Sequence, residues 1–187
     1  MNLLQRLKSE SAKAHDRIEE AFDLEAVTRS KSAYRNLLGR LYGFHAVWEP
    51  LAEVALVDPE FFRQRRKVAF LTTDLRDLGM GSHGIARLPL CDPTVTMRTP
   101  AEAWGSMYVV EGATLGGVII ARHVERRLGL SRQNGCLYFR CYGADVRSMW
   151  TSFGTRLLAS CGPADQDAVV AAARRTFEML HIWLCGR

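Results

Sequence analysis

The chain has no C-x-x-C pair. Its five cysteines, Cys91, Cys136, Cys141, Cys161 and Cys185, are odd in number and scattered, which argues against a disulfide framework and for reduced thiols. No stretch alternates apolar and polar residues convincingly, so strands are not expected. No uncharged apolar run reaches membrane-spanning length; the longest are broken by Gly, Arg or Glu. The opening Met1-Asn-Leu-Leu-Gln-Arg-Leu-Lys8 has no signal-peptide core and reads directly as a helix. A cytoplasmic location without a membrane partner is therefore expected. The net charge of +5 is mild, and the arginines are not interleaved with exposed aromatics, so no nucleic-acid partner is expected. A basic surface of this strength suits at most an acidic protein or an anionic ligand.

What is present is helix. A length of 187 residues predicts one domain, 1–187, with a substantial core. Apolar or small residues at Leu4, Leu7, Ser11, Ala14, Ile18 and Phe22 predict a first helix over about 3–22. Ser30 can cap a second, running from about 31 into the fifties, with Tyr34, Leu38, Phe44, His45 and Trp48 inward. Asp58-Pro59 opens a third that continues through Phe61, Phe62, Val68, Leu71 and Leu75, either unbroken or with one break. Gly79 to Gly84 and Pro89 to Pro93 mark a long loop. Thr99-Pro100-Ala-Glu102 starts a helix that ends near Leu128, before Gly129. Two more, over about 144–160 and 164–184, flank Cys161-Gly-Pro163. The fold class read from this pattern is all-α.

One predicted helix carries an anomaly. The segment Tyr108-Val-Val-Glu-Gly112-Ala-Thr-Leu-Gly116-Gly117-Val-Ile-Ile120 places three glycines in an apolar helix, at a cost of about 1 kcal/mol each relative to Ala. Gly105, Gly112 and Gly116 fall on one stripe. Two readings are open: close packing of a second helix, or the approach of something flat or bulky.

On the first helix, His15 lies at the edge of the apolar stripe, with Glu19 one turn onward. That carboxylate can accept the spare imidazole N–H, as metal-binding histidines usually require. Lys8 lies two turns earlier on the same face, about 10.5 Å along the axis, where a cation can meet a carboxylate at the edge of a large planar ligand. A packed core histidine remains the alternative for His15 taken alone.

Lys8, His15 and Glu19, followed at a distance by Gly112-x-x-x-Gly116-Gly117, resemble heme oxygenase of the bacterial, biliverdin-producing kind. Tyr34-Arg-Asn-Leu-Leu38 and Tyr42-Gly-Phe-His45 resemble the family's second helix, and Arg174-Arg-Thr-Phe177 through Leu184 its last. The resemblance implies a multi-helical bundle in which His15 is the axial ligand to the iron of heme b, Glu19 its hydrogen-bond partner and Lys8 a propionate contact. It implies that Gly112, Gly116 and Gly117 form the catalytic distal helix crossing the heme. It likewise makes Tyr108 a propionate neighbour, although some members carry this tyrosine one position earlier, at Met107 here. Phe177 becomes an aromatic of the pocket wall. The implied reaction opens heme to biliverdin, carbon monoxide and ferrous iron with dioxygen and electrons from a ferredoxin- or flavoprotein-type donor. A bilin-accepting phytochrome is a possible recipient.

The chain departs from the family pattern at Ala113, where many members place an aspartate beside the distal water. The basic propionate contacts of the penultimate helix lie between Arg147 and Arg156 without a choice. A heme carrier or sensor that leaves its ligand intact would use the same ligands. A di-iron carboxylate site is excluded, since it needs two Glu-x-x-His pairs and only Glu178-Met-Leu-His181 exists. His45, His83 and His123 show no partner pattern, and Trp48, Trp104, Trp150 and Trp183 read as core.

Overall fold

Local capping chemistry sets where most helices begin. In the computed structural model, which describes residues 1–92 and 97–186, α1 spans Leu3–Ala21 and opens on a reciprocal pair: Asn2 and Gln5 exchange side-chain-to-backbone hydrogen bonds of 2.9 Å. Asp23 caps the single-turn α2, Leu24–Val27, and Ser30 caps α3, Lys31–Leu56. Asp58 accepts the Phe61 N–H to start α4, Pro59–Arg63. After α5, Val68–Asp77, and α6, Ser82–Ala86, Thr99 caps the long α7, Pro100–Leu128, which stops at Gly129 with φ 65°. α8, Val146–Ser160, and α9, Gln166–Cys185, complete the chain. No β-strand occurs among the described residues, where Ser131 and Asn134 form only an isolated bridge. The all-α expectation holds.

One open expectation is settled and one needs correction. The third helix does break, between Arg63 and Val68, where the Glu49 carboxylate of α3 reaches over and accepts the Lys67 and Val68 N–H groups at 2.6 and 3.0 Å. That tertiary cap starts a new helix where local sequence offers none. The Gly79–Gly84 loop also contains the start of α6, whose Ile85 is buried in a core cluster with Tyr34 and Leu71. Pro93, the predicted end of the second loop, lies outside the described residues.

The last helix organises the others. Both α1 and α7 pack along α9 but hardly on each other. One core gathers Leu7, Trp48, Phe62, Trp104, Met107 and Phe153 between these helices and α3 and α8. Trp48 Nε1 donates to Ser106 Oγ at 2.8 Å, and the Thr176 hydroxyl lies 2.8 Å from the same oxygen, joining α3, α7 and α9 in the interior. By length and composition α7 would suffice to cross a membrane, with mean hydropathy 1.2 over its best window. Half of that window is buried in the fold, so the core accounts for half of its apolar character.

Candidate functional site

Because α1 and α7 meet α9 without packing together, a slot is left between them. At one end Ser11 of α1 lies beside Tyr108 of α7, where burial raises the phenol pKa and the serine hydroxyl acts against that rise. At the other end, just beyond α1, Glu25 reaches His123 and Arg127 of α7. Ser11 is one turn before His15, and Tyr108 is one turn before Gly112. His15 and the glycine segment therefore occupy the two sides of the slot.

The histidine side is polar and open. The His15 side chain is 52% exposed, with Nδ1 3.6 Å from a Glu19 carboxylate oxygen and 3.7 Å from one of Asp16. Both carboxylates lie on the side of that nitrogen, which leaves Nε2 free on the other edge of the ring. Phe177 of α9 meets the imidazole edge-on, ring centroids 5.7 Å apart, and fixes its tilt from below. Lys8 is exposed on the same helix. Asp16 escaped the sequence reading because an acid beside a histidine in sequence does not usually share its helical face.

The glycine side separates the two readings of the stripe. An added Cβ at Gly105 would fall 2.0 Å from the Val169 carbonyl oxygen of α9, so Gly105 is a packing residue. At Gly112 a Cβ would meet only the Trp150 ring at 3.7 Å, at Gly117 the Phe139 ring at 3.4 Å, and at Gly116 nothing within 4 Å. Alanine would fit at all three, so the protein's own packing does not demand glycine there. Leu115 and Ile119, on the same exposed side of α7, are 38% and 65% exposed. The result is a bare-backbone, apolar face opposite an imidazole. Trp150, expected in the core, is half-buried and lies at a tilt of 53° to the Tyr108 ring, centroids 5.6 Å apart, flanking this face.

Behind that face lies a buried charged network which the sequence did not reveal. Glu111, next to Gly112 but on the inward face of α7, is 1% exposed. Arg65 Nε stands 3.2 Å and Lys67 Nζ 3.5 Å from its carboxylate. Tyr142 donates to Glu111 Oε1 at 2.8 Å, and Lys67 donates to Tyr142 Oη at 2.6 Å. Burial, reinforced by Glu111, pushes the Tyr142 phenol far up and keeps it protonated. Glu49 adds the second negative charge, so two acids balance two bases. Arg65 also stacks on the Phe61 ring at 3.7 Å. His45, expected to be merely packed, lies 3.3 Å from Glu49 and 3.1 Å from the Tyr138 hydroxyl. Burial lowers its pKa against the pull of Glu49, so it is neutral. Only the pairing in space makes these residues a unit; along the chain they are unremarkable charges on separate elements.

Of the two basic candidates on the penultimate helix, Arg156 is engaged with Asp58 at 2.6 and 2.9 Å. Arg147 is exposed, and no ion pair forms at it among the described residues. Glu178 pairs with Arg17 on the surface at 3.0 Å, away from any second Glu-x-x-His.

An all-helical fold that holds an exposed imidazole across from bare helical backbone has the elements that a flat, metal-bearing ligand would need. Comparison with known proteins names the class. The family model for heme oxygenase matches residues 1–185. A curated heme oxygenase of Xanthomonas campestris pv. campestris is 31% identical over 130 residues, covering 67% of this chain and 71% of that protein. The fold is also that of solved heme oxygenases. Heme oxygenase 2 of Chlamydomonas reinhardtii, determined without heme, superposes with a TM-score of 0.83 at 17% identity over 98% of this chain and 96% of that one. The NO- and CO-bound enzyme of Neisseria meningitidis gives 0.82 at 21% over 98% and 90%. That of Leptospira interrogans gives 0.79 at 16% over the whole of both chains. This chain belongs to the heme oxygenase family, and it is an enzyme that degrades heme.

Proposed function

We propose that the chain cleaves heme b to biliverdin, carbon monoxide and ferrous iron, using dioxygen and electrons from a ferredoxin- or flavoprotein-type donor. The observation that carries this reading is that Gly112 and Gly116 are glycines where the protein itself has room for a methyl group, while Gly117 is buried against Phe139. Helix stability favours alanine at Gly112 and Gly116, so the open backbone there serves a ligand.

The residues fit that ligand. His15 supplies a neutral nitrogen for the iron, with Glu19 accepting from Nδ1 to hold the ring and raise its basicity. In this reading Lys8 would meet a propionate, with Tyr108 at the same end of the slot and Arg147 as the remaining cation of α8. Phe177 keeps the imidazole upright. Bound heme supplies the iron at which dioxygen is activated and the macrocycle that is opened.

The protein's contribution is steric and protonic. Bare backbone at Gly112 and Gly116 admits a small diatomic ligand and allows close contact with the ring edge. With a methyl group at Ala113, no acid stands on the exposed face. Tyr142 and Lys67 instead hold protons behind Gly112, beside the buried Glu111 carboxylate. Tyr142 Oη is the donor to Glu111 Oε1, and Lys67 Nζ can replace the proton that Tyr142 gives up.

The five unpaired thiols suit a reducing cytoplasm. The basic charge suits an acidic donor, and bilin delivery to a phytochrome or iron release are two uses of the same products. The decisive test mixes purified protein, hemin and ascorbate under air and separates the products by chromatography. Loss of the Soret band with appearance of a single biliverdin isomer is expected; a Soret band that persists defeats the proposal.

A further inference from the structure

Gly112, Gly116 and Gly117 leave this stretch of α7 with few side chains of its own to pack, so its place is set by what stands behind it. A Cβ at Gly117 would lie 3.4 Å from the Phe139 ring, and one at Gly112 would lie 3.7 Å from the Trp150 ring. Tyr142 donates to Glu111 Oε1 at 2.8 Å. Trp150 is carried by α8. Phe139 and Tyr142 sit on the connection between α7 and α8, which contains two single 3₁₀ turns, Tyr138–Arg140 and Gly143–Asp145.

Such short turns do not hold themselves in place. Arg140 pairs with Glu125 at 2.6 and 2.8 Å, but Glu125 belongs to α7, so that pair ties the connection back to the helix it must support. The tie to the rest of the fold is made at α5. Asp74, with no exposed surface, accepts the Leu137 and Tyr138 N–H groups at 2.7 and 2.8 Å. Asp77, one turn on, accepts the Gly135 N–H at 3.0 Å. Lys67, just ahead of α5, donates to Tyr142 at 2.6 Å. α5 is in turn seated on α3, its Leu71 and Leu75 fully buried in one cluster with Leu37 and Leu38. A buried carboxylate needs strong hydrogen bonds to offset its desolvation. Two short charge-assisted bonds from successive N–H groups make Asp74 a firm clamp on the connection.

We infer that Asp74 is a positioning residue for heme degradation: by clamping Leu137 and Tyr138 to α5 it keeps Phe139 behind Gly117, and so fixes where the bare backbone of α7 stands in the slot. Asp74 acts only through Phe139 and the connection that carries it. Its effect is on alignment, to which reaction rates are sensitive, since a displacement of about 1 Å can cost on the order of a hundredfold.

Hydrogen exchange in the apo-protein tests the clamp, for the native chain, Asp74→Asn, Phe139→Leu and the double variant. Asparagine offers one acceptor oxygen where aspartate offers two, so one N–H is released. Exchange at the Gly116, Gly117 and Val118 amides should quicken roughly three- to tenfold in each single variant. The double variant should be no faster than the faster single, because both act through one contact. The amides of Leu38 and Leu41 in α3 should keep native rates. In the reduced heme complex under carbon monoxide, the C–O stretching band should broaden in each variant while the iron–histidine spectrum stays native. Turnover should fall about tenfold at unchanged hemin affinity. Acceleration spread evenly over α3 and α7 makes Asp74 merely structural and overturns the inference, as does a native rate at Gly117 in Asp74→Asn or strict additivity. If Asp74→Asn does not fold, Asp77→Asn, which frees only Gly135, takes its place with the same outcomes. The inference rests on heme occupying the slot. Failure of the native chain to bind hemin would sink that reading itself, whereas native turnover in Asp74→Asn removes only the clamp.

Discussion

Gly105 of α7 and Val169 of α9 meet backbone to backbone, with 2.0 Å between the Val169 carbonyl oxygen and the place a Cβ would take at Gly105. Gly116, on the same stripe of the same helix, has nothing in that place. The two glycines therefore answer to different demands. Gly105→Ala should force α7 and α9 apart and cost several kcal/mol, about the range of an overpacked core. Gly116→Ala should leave the apo-protein unharmed, or stabilise it by about 1 kcal/mol through helix propensity, while weakening hemin binding or turnover. Urea unfolding of both variants checks this; equal destabilisation would contradict the distinction.

The ligand assignment is tested at His15. His15→Ala should abolish the imidazole signature in the optical and electron paramagnetic resonance spectra of the hemin complex, and added imidazole should restore it. Glu19→Gln should retain the ligand but shift the iron–histidine stretching frequency, because a neutral amide accepts the Nδ1 proton less strongly. An unchanged spectrum in His15→Ala would mean that another residue holds the iron.

Glu111 tests the buried network. Its isosteric replacement, Glu111→Gln, leaves Arg65 and Lys67 short of one negative charge in the interior, at a cost of about 3–5 kcal/mol. Tyr142→Phe removes only the hydroxyl between Lys67 and Glu111 and should cost about 1–3 kcal/mol. If this chain carries protons to the distal side, Tyr142→Phe should also slow turnover about ten- to a hundredfold without changing hemin affinity. Native turnover in a folded Tyr142→Phe protein would confine the network to a structural role.

Asp74 gives stability a pH dependence. Its buried carboxylate accepts the Leu137 and Tyr138 N–H groups at 2.7 and 2.8 Å, but burial prevails and pushes its pKa up to about 6 from 3.8. The native state thus holds this proton more tightly than the unfolded chain. Its contribution is fully present below about pH 4 and is lost as pH rises through about 6, on the order of 3 kcal/mol. His45 acts in the opposite sense: its lowered pKa contributes stability above about 6.5 that fades as the solution is acidified. Subtracting the urea stability of Asp74→Asn from that of the native chain between pH 4 and 7 isolates the first effect. The difference should shrink as pH rises; a constant difference would refute the assignment.

Much of the fold was legible because it is written locally. Asn2, Ser30, Asp58 and Thr99 accept backbone N–H groups within their own chain segment, and Gly129 ends α7 through its own conformation. The place of the break before α5 was not legible, since its cap is Glu49, distant in sequence and brought there by α3. Glu111, Lys67 and Tyr142 stayed hidden for the same reason. Charges on four different elements form a network only once those elements meet.

The amino-acid order by itself determined which faces exist: a helix with His15 and Glu19 one turn apart, and another with Gly105, Gly112 and Gly116 aligned by helical periodicity. Tertiary structure alone decided what each face meets. α9 crosses α7 at Gly105 and is gone by Gly116, so one stripe is packing at its first glycine and open slot at its last. Helical geometry is a short-range property of the backbone, whereas the partner of a face depends on where distant helices come to rest.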